Sequence, residues 1–137
     1  YPVLNIVTPL SEALSGNKGT EELLIHPQVA NDAVFLQLGV DFANGASALK
    51  KVDVDKCNRL AQRAFASCTN LTALIIRTDT VASLYNTTAF TGTPIADGTG
   101  YIYVPAALVD SYKSASNWST FADQFRAIED YPEITGG

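Results

Sequence analysis

The sequence predicts an α/β solenoid, in which short strand-and-loop units stack into a parallel sheet closed by a helical C-terminal cap. Three observations predict it. The first is a repeat. Leu49-Lys50-Lys51-Val52-Asp53-Val54 leads to a small-residue turn at Ala64-Phe65-Ala66-Ser67-Cys68-Thr69-Asn70. Leu71-Thr72-Ala73-Leu74-Ile75-Ile76 restarts the pattern, and Ala89-Phe90-Thr91-Gly92 closes it. The second is unit size: so short a unit cannot bury its own apolar side, but a stack of copies can. The third is a change of texture after Val104, where strand patterning gives way to helix patterning.

The repeat weakens upstream. Phe42-Ala43-Asn44-Gly45-Ala46-Ser47-Ala48-Leu49 parallels Phe65–Leu71 with one residue inserted. Ala13-Leu14-Ser15-Gly16-Asn17 has the same small, apolar and Gly character. Strands are expected near residues 3–7, 22–26, 49–54, 72–77 and 101–104. The stack then spans residues 1–104 and the cap 105–137, as one continuous domain.

Side chains alternate across a strand. In-register stacking sets Leu23 and Ile25, Val52 and Val54, Leu74 and Ile76, and Ile102 and Val104 as an inner ladder. Three outward rows follow: Glu22, Lys51, Ala73, Tyr101; Leu24, Asp53, Ile75, Tyr103; and His26, Asp55, Arg77, Pro105. Strands about 4.8 Å apart would set Asp55 beside Arg77 and Glu22 beside Lys51, both complementary pairs.

In the cap, Pro105 suits a helix start because its missing N–H costs nothing there. Ala106–Lys113 reads as a helix with Leu108, Val109 and Tyr112 on one side. Ser114–Asn117 breaks it. Asn117 or Ser119 then caps a second short helix carrying Trp118, Phe121, Ala122 and Phe125, and Ala127-Ile128 forms a last strand. Trp118 reads as a plug over the open end of the stack rather than as a ligand platform.

The turn Arg63-Ala64-Phe65-Ala66-Ser67-Cys68-Thr69-Asn70-Leu71 resembles the BspA-like leucine-rich repeat. The segments Gly100–Pro105, Leu108–Lys113 and Asn117-Trp118-Ser119 are similar to the C-terminal cap of such proteins. The resemblance covers about residues 45–131. It implies a leucine-rich-repeat solenoid and a role in adhesion or recognition on a bacterial surface or in a phage tail, hence an extracellular place. It supplies no catalytic motif and no cofactor.

Composition sets outer bounds. The 137 residues suit one domain. Apolar content of 47% with 17% charged residues is that of a folded chain. The net charge of −5, with no Lys/Arg cluster, argues against a nucleic-acid partner. No apolar run approaches the roughly 20 residues of a membrane span, and no signal-peptide pattern opens the sequence.

Cys57 and Cys68 are the only cysteines, too few for a zinc site with one distant histidine, His26. They read as buried structural thiols in preference to a disulfide. Asn70, Asn86 and Asn117 match the glycosylation sequon but read as turn and capping residues.

The outward face is the expected binding surface: Glu22, Leu24, Lys51, Asp53, Asp55, Ile75, Arg77, Tyr101 and Tyr103. Only outward strand positions form a rigid surface across every unit, and Tyr and Arg favour interface hot spots. The partner expected is a protein or a glycan. An alternative is an assembly domain packing against sister subunits. Another is a carbohydrate-active hydrolase using Asp53 and Asp55, which share a strand face. No nucleophile elbow or phosphate loop supports an enzyme.

Overall fold

The computed structural model describes residues 15–16, 18–25, 36–55, 57–78 and 80–135. The expected strand at residues 3–7, Ala13, Leu14, His26 and the side chain of Ile25 lie outside what is described. The strands in chain order are β1 (Glu22–Ile25), β2 (Leu36–Leu38), β3 (Lys51–Val54), β4 (Cys57–Leu60), β5 (Ala73–Ile76), β6 (Ser83–Leu84), β7 (Tyr101–Val104) and β8 (Phe125–Ala127). Helices α1 (Pro94–Asp97), α2 (Val109–Ser114) and α3 (Pro132–Thr135) are short. Among the described residues the architecture is mixed α/β, with two parallel sheets and no closed barrel.

The main sheet runs β1-β3-β5-β7-β8. Its register pairs Leu23 with Val52, Val52 with Leu74, and Leu74 with Ile102. This is the register that the alternation of apolar residues requires. Leu23, Val52, Val54, Leu74, Ile76, Ile102 and Val104 are buried in one core.

A second sheet, β2-β4-β6, lies beyond the expected elements. Its strands are two to four residues long. Leu38, Cys57, Leu60 and Leu84 face the same core from this side. Within this core the phenylalanine of each turn meets the next, first edge to face and then stacked. Phe42 meets Phe65 at 5.8 Å, and Phe65 meets Phe90 at 6.0 Å with near-parallel rings.

The turns repeat in their backbone too. Gly16, Gly45, Ser67 and Gly92 all have positive φ, at 73°, 80°, 60° and 77°. They are linked by Gly16 N–H to Asn44 O (2.8 Å), Gly45 N–H to Ala66 O (2.9 Å) and Ser67 N–H to Thr91 O (2.7 Å). Glycine occupies three of these four left-handed positions because it carries no Cβ penalty there. Ser67 bears that penalty, so Ser67→Gly should raise stability by about 0.5 kcal/mol, net of added chain entropy in the unfolded state. A thermal melt checks this.

Both cysteines are free, buried thiols, which excludes the Cys57–Cys68 disulfide here. Burial pushes the Cys57 thiol up to about 12 and the Cys68 thiol up to about 11. The Cys68 thiol donates to the Ala43 carbonyl at 3.0 Å. Native protein at pH 8 should therefore react slowly with a thiol reagent, and denatured protein should give two thiols per chain. Cys68→Ala should cost about 1 kcal/mol, the loss of one small buried group.

The cap departs from expectation in detail. A 3-10 turn at Ala106–Leu108 leads into α2, whose Tyr112 is fully buried with Leu108 and Val109 against the core. The next segment, Trp118–Gln124, is 3-10 rather than α-helical. Phe125 belongs to β8, which pairs in parallel with β7, and Ile128 opens another 3-10 turn. Asn117 makes no side-chain cap. Its amide instead donates to the Leu84 and Tyr85 carbonyls at 2.8 and 3.1 Å.

Asn70 and Asn86 also serve the backbone. Asn70 donates to Ser47 O at 2.8 Å, and Asn86 accepts from Thr88 N–H at 3.1 Å. Helix α1 is capped by Thr93, whose side chain accepts from Ala96 N–H at 3.2 Å. Gly98, at φ 91°, ends it.

Candidate functional site

The outward face of the main sheet is built by side chains that alternate with the inner ladder. Glu22 is exposed, and Leu24, Lys51, Asp55, Arg77 and Tyr101 are half-buried. Asp53, Ile75 and Tyr103 are buried. The expectation of a fully open face is thus corrected. Residues 128–135 lie across its centre. Ile128 forms a small second core with Ala73, Ile75 and Tyr103, flanked by Tyr101, Tyr131 and Ile134. Tyr131 meets Tyr103 at 5.5 Å, edge to face. Burial, then the Tyr131 and Tyr101 phenols, push the Tyr103 hydroxyl above its ordinary value.

The covering segment is tied down at its end. Thr135 is buried and donates to the Ile128 and Tyr131 carbonyls at 3.2 and 3.0 Å. Arg77 donates to the Thr135 carbonyl and, through two nitrogens, to both carboxylate oxygens of Asp53 at 2.8 and 2.9 Å. The expected Asp55–Arg77 contact is therefore replaced by a diagonal pair with Asp53. The fork of the guanidinium fits one carboxylate with two parallel bonds, while Asp55 still adds attraction at a distance. The Asp53 hydrogen bonds hold Arg77 more firmly in its charged form.

Glu22 and Lys51 are register partners, but the ion pair at this point joins Lys50 and Glu21, at 2.9 Å. Asp53, one of the two candidate hydrolytic carboxylates, has both oxygens on Arg77. That geometry holds a charge pair rather than a water. Among the described residues no His, Cys, Asp and Glu cluster is arranged to hold a metal ion, and no helix is long and apolar enough to cross a membrane.

What remains open is a cleft of about 420 Å³ beside the covering segment. Glu22, Lys50, Lys51 and Thr72 line its sheet side, Thr99 and Tyr101 its far side, and Glu133 and Ile134 the wall. A second hollow of about 350 Å³ continues it over Leu24 and Asp53, sharing Glu22 and Lys51. Tyr101 is held in place by Arg126, whose guanidinium lies 4.6 Å from its ring centre, and by the edge of Tyr103 at 6.5 Å. Of the nine expected binding residues, the two hollows bring together Glu22, Leu24, Lys51, Asp53, Tyr101 and Tyr103. Ile75 and Arg77 serve the covering segment, and Asp55 lines neither hollow. Sequence reasoning missed Lys50, Thr72, Thr99 and Glu133.

A third ion pair lies elsewhere on the molecule. Arg63 donates to both oxygens of Asp41 at 2.7 and 3.2 Å. Hydrogen bonds from Arg63 and then Asn44 hold the Asp41 carboxyl below the usual carboxylate range. Its contribution to stability is complete above the unfolded value, about 3.9, and is lost as pH falls through the lowered one. Asp41→Asn should therefore lower the neutral region of a stability–pH curve and flatten its acid limb below about pH 4, where variant and wild type converge.

In comparison with known proteins, no family model matches the sequence, and no curated protein matches it either.

Proposed function

We propose that the chain is a non-enzymatic recognition module, a short solenoid of the BspA-like leucine-rich-repeat kind. It engages a protein or glycan through the outward face of its stacked strands, on a bacterial surface or in a phage tail. The observation that carries this reading is the pair of adjoining hollows over β1 and β3, which share Glu22 and Lys51, one of them walled by Glu133 and Ile134. A concavity in which polar groups converge beside aromatic rings is a form that ligand sites take.

The test is an array of immobilised oligosaccharides and bacterial surface-protein fragments, probed with the full chain. Binding that is lost on Lys51→Glu at an unchanged melting temperature supports the reading. Binding indifferent to Lys51→Glu and to other cleft substitutions would overturn it.

A second reading, self-assembly, is favoured by a different surface. Val40 and Tyr85 are exposed and wall a depression of about 210 Å³ with Arg59. Sedimentation that shows a dimer dissolved by Tyr85→Ser would favour this reading over the first.

A further inference from the structure

We infer that the cleft beside Tyr101 takes an uncharged carbohydrate, a sugar residue of a neutral glycan. The inference rests on the recognition reading above and names its ligand class. Charge comes first. Lys50 and Lys51 are balanced inside the cleft by Glu22 and Glu133. Just beyond it, Arg126 over the Tyr101 ring is balanced by Glu21 on Lys50. A cleft with as many anions as cations gains nothing from a phosphate, a sulfate or a uronic acid, each of which needs an excess of positive charge.

The second argument is the kind of partner that the lining can satisfy. The strands below the cleft are joined to one another by their backbones across the registers of β1, β3, β5 and β7. A face of this kind offers side chains only. A peptide adding to a sheet needs a free edge for its main chain. A sugar needs side-chain donors and acceptors around each hydroxyl, and the cleft has them. The two lysines donate and the two glutamates accept. Thr72 and Thr99 each donate weakly to a carbonyl, at 3.4 and 3.5 Å, which leaves their oxygens as acceptors.

The third argument is the ring. Tyr101 lines the cleft and is held by Arg126 and Tyr103 in one orientation. A fixed aromatic surface meets the apolar C–H face of a sugar at little cost in side-chain freedom. The volume of about 420 Å³ lies within the roughly 300–1,000 Å³ of small-ligand sites.

The test is saturation-transfer NMR of the full chain against two panels. One holds neutral hexasaccharides of glucose, mannose and N-acetylglucosamine, and the other holds heparin and polygalacturonate fragments. The expected result is binding from the neutral panel, weakened roughly three- to tenfold by Tyr101→Ala. Because Tyr101 also packs, Thr72→Val serves as a second variant: it is exposed, keeps its shape and removes one acceptor. It should weaken the same glycan while the melting temperature holds. The double variant Glu22→Gln, Glu133→Gln should admit the acidic panel.

Wild-type binding to acidic fragments only would overturn the inference. So would a neutral glycan indifferent to both Tyr101→Ala and Thr72→Val, or no binding from either panel. If the array then yields a protein fragment whose binding Lys51→Glu abolishes, the ligand class fails and the recognition reading stands. If neither Lys51→Glu nor the other cleft substitutions change any binding, both fail.

Discussion

Leu74→Asp should yield no folded protein. Leu74 is fully buried, and its register partners are Val52 on one side and Ile102 on the other. Aspartate there would bury a charge with apolar neighbours, at a cost that exceeds the margin of a domain this size. Leu74→Ala keeps the position apolar and should cost about 2–5 kcal/mol, set by how far the cavity can close. Circular dichroism and a denaturant titration distinguish the two. A soluble Leu74→Asp variant that melts like the wild type would mean that Leu74 does not lie between the sheets.

Arg77→Ala should destabilise by about 3 kcal/mol, the lower end for breaking a buried pair, since Arg77 retains some exposure. It removes the cation that binds both carboxylate oxygens of Asp53, a residue only 7% exposed, and a donor to the Thr135 carbonyl. The second loss should show locally. Amides of residues 128–135 should exchange faster with solvent, while those of β3 and β5 shift by the global amount. The double variant Asp53→Leu, Arg77→Leu should recover part of the stability, because neither charge then remains buried. Uniformly faster exchange, with residues 128–135 no different from the strands, would count against an anchoring role.

These two residues also show what was legible beforehand. Leu74 could be placed because strand alternation has period two, and a slip of one residue would turn Val52 and Ile102 outward. The repeated turn placed Phe65 and Phe90 at matching points of two units, but not the contact between their rings. The environment of Arg77 could not be placed, because its partner Thr135 belongs to a segment with no strand periodicity. A signal was nonetheless present. β5 reads Ala-Leu-Ile-Ile, apolar on both faces, and such a strand is covered on both. Together with Tyr101 and Tyr103, it marked a face that the chain would cover itself. The second sheet left no comparable trace. Ser83-Leu84 and Leu36-Gln37-Leu38 are too short for alternation to stand out from chance. Within the cleft, Thr72, Thr99 and Glu133 are ordinary loop or helix residues until the fold brings them around Tyr101.

The two sheets finish differently at the cap. The main sheet gains a further strand, β8, but β6 is met by side chains. The Tyr112 hydroxyl accepts from Ala82 N–H at 2.9 Å, and the Trp118 indole donates to Ala82 O at 2.7 Å. The Asn117 amide serves the carbonyls of Leu84 and Tyr85. Tyrosine, tryptophan and asparagine together imitate the hydrogen bonding of a strand that is not there. A strand edge is a template that a further strand could read. Beside β6 that template is answered by groups that offer none in return, so the second sheet is stopped by three side chains, whereas the main sheet ends on the strand β8.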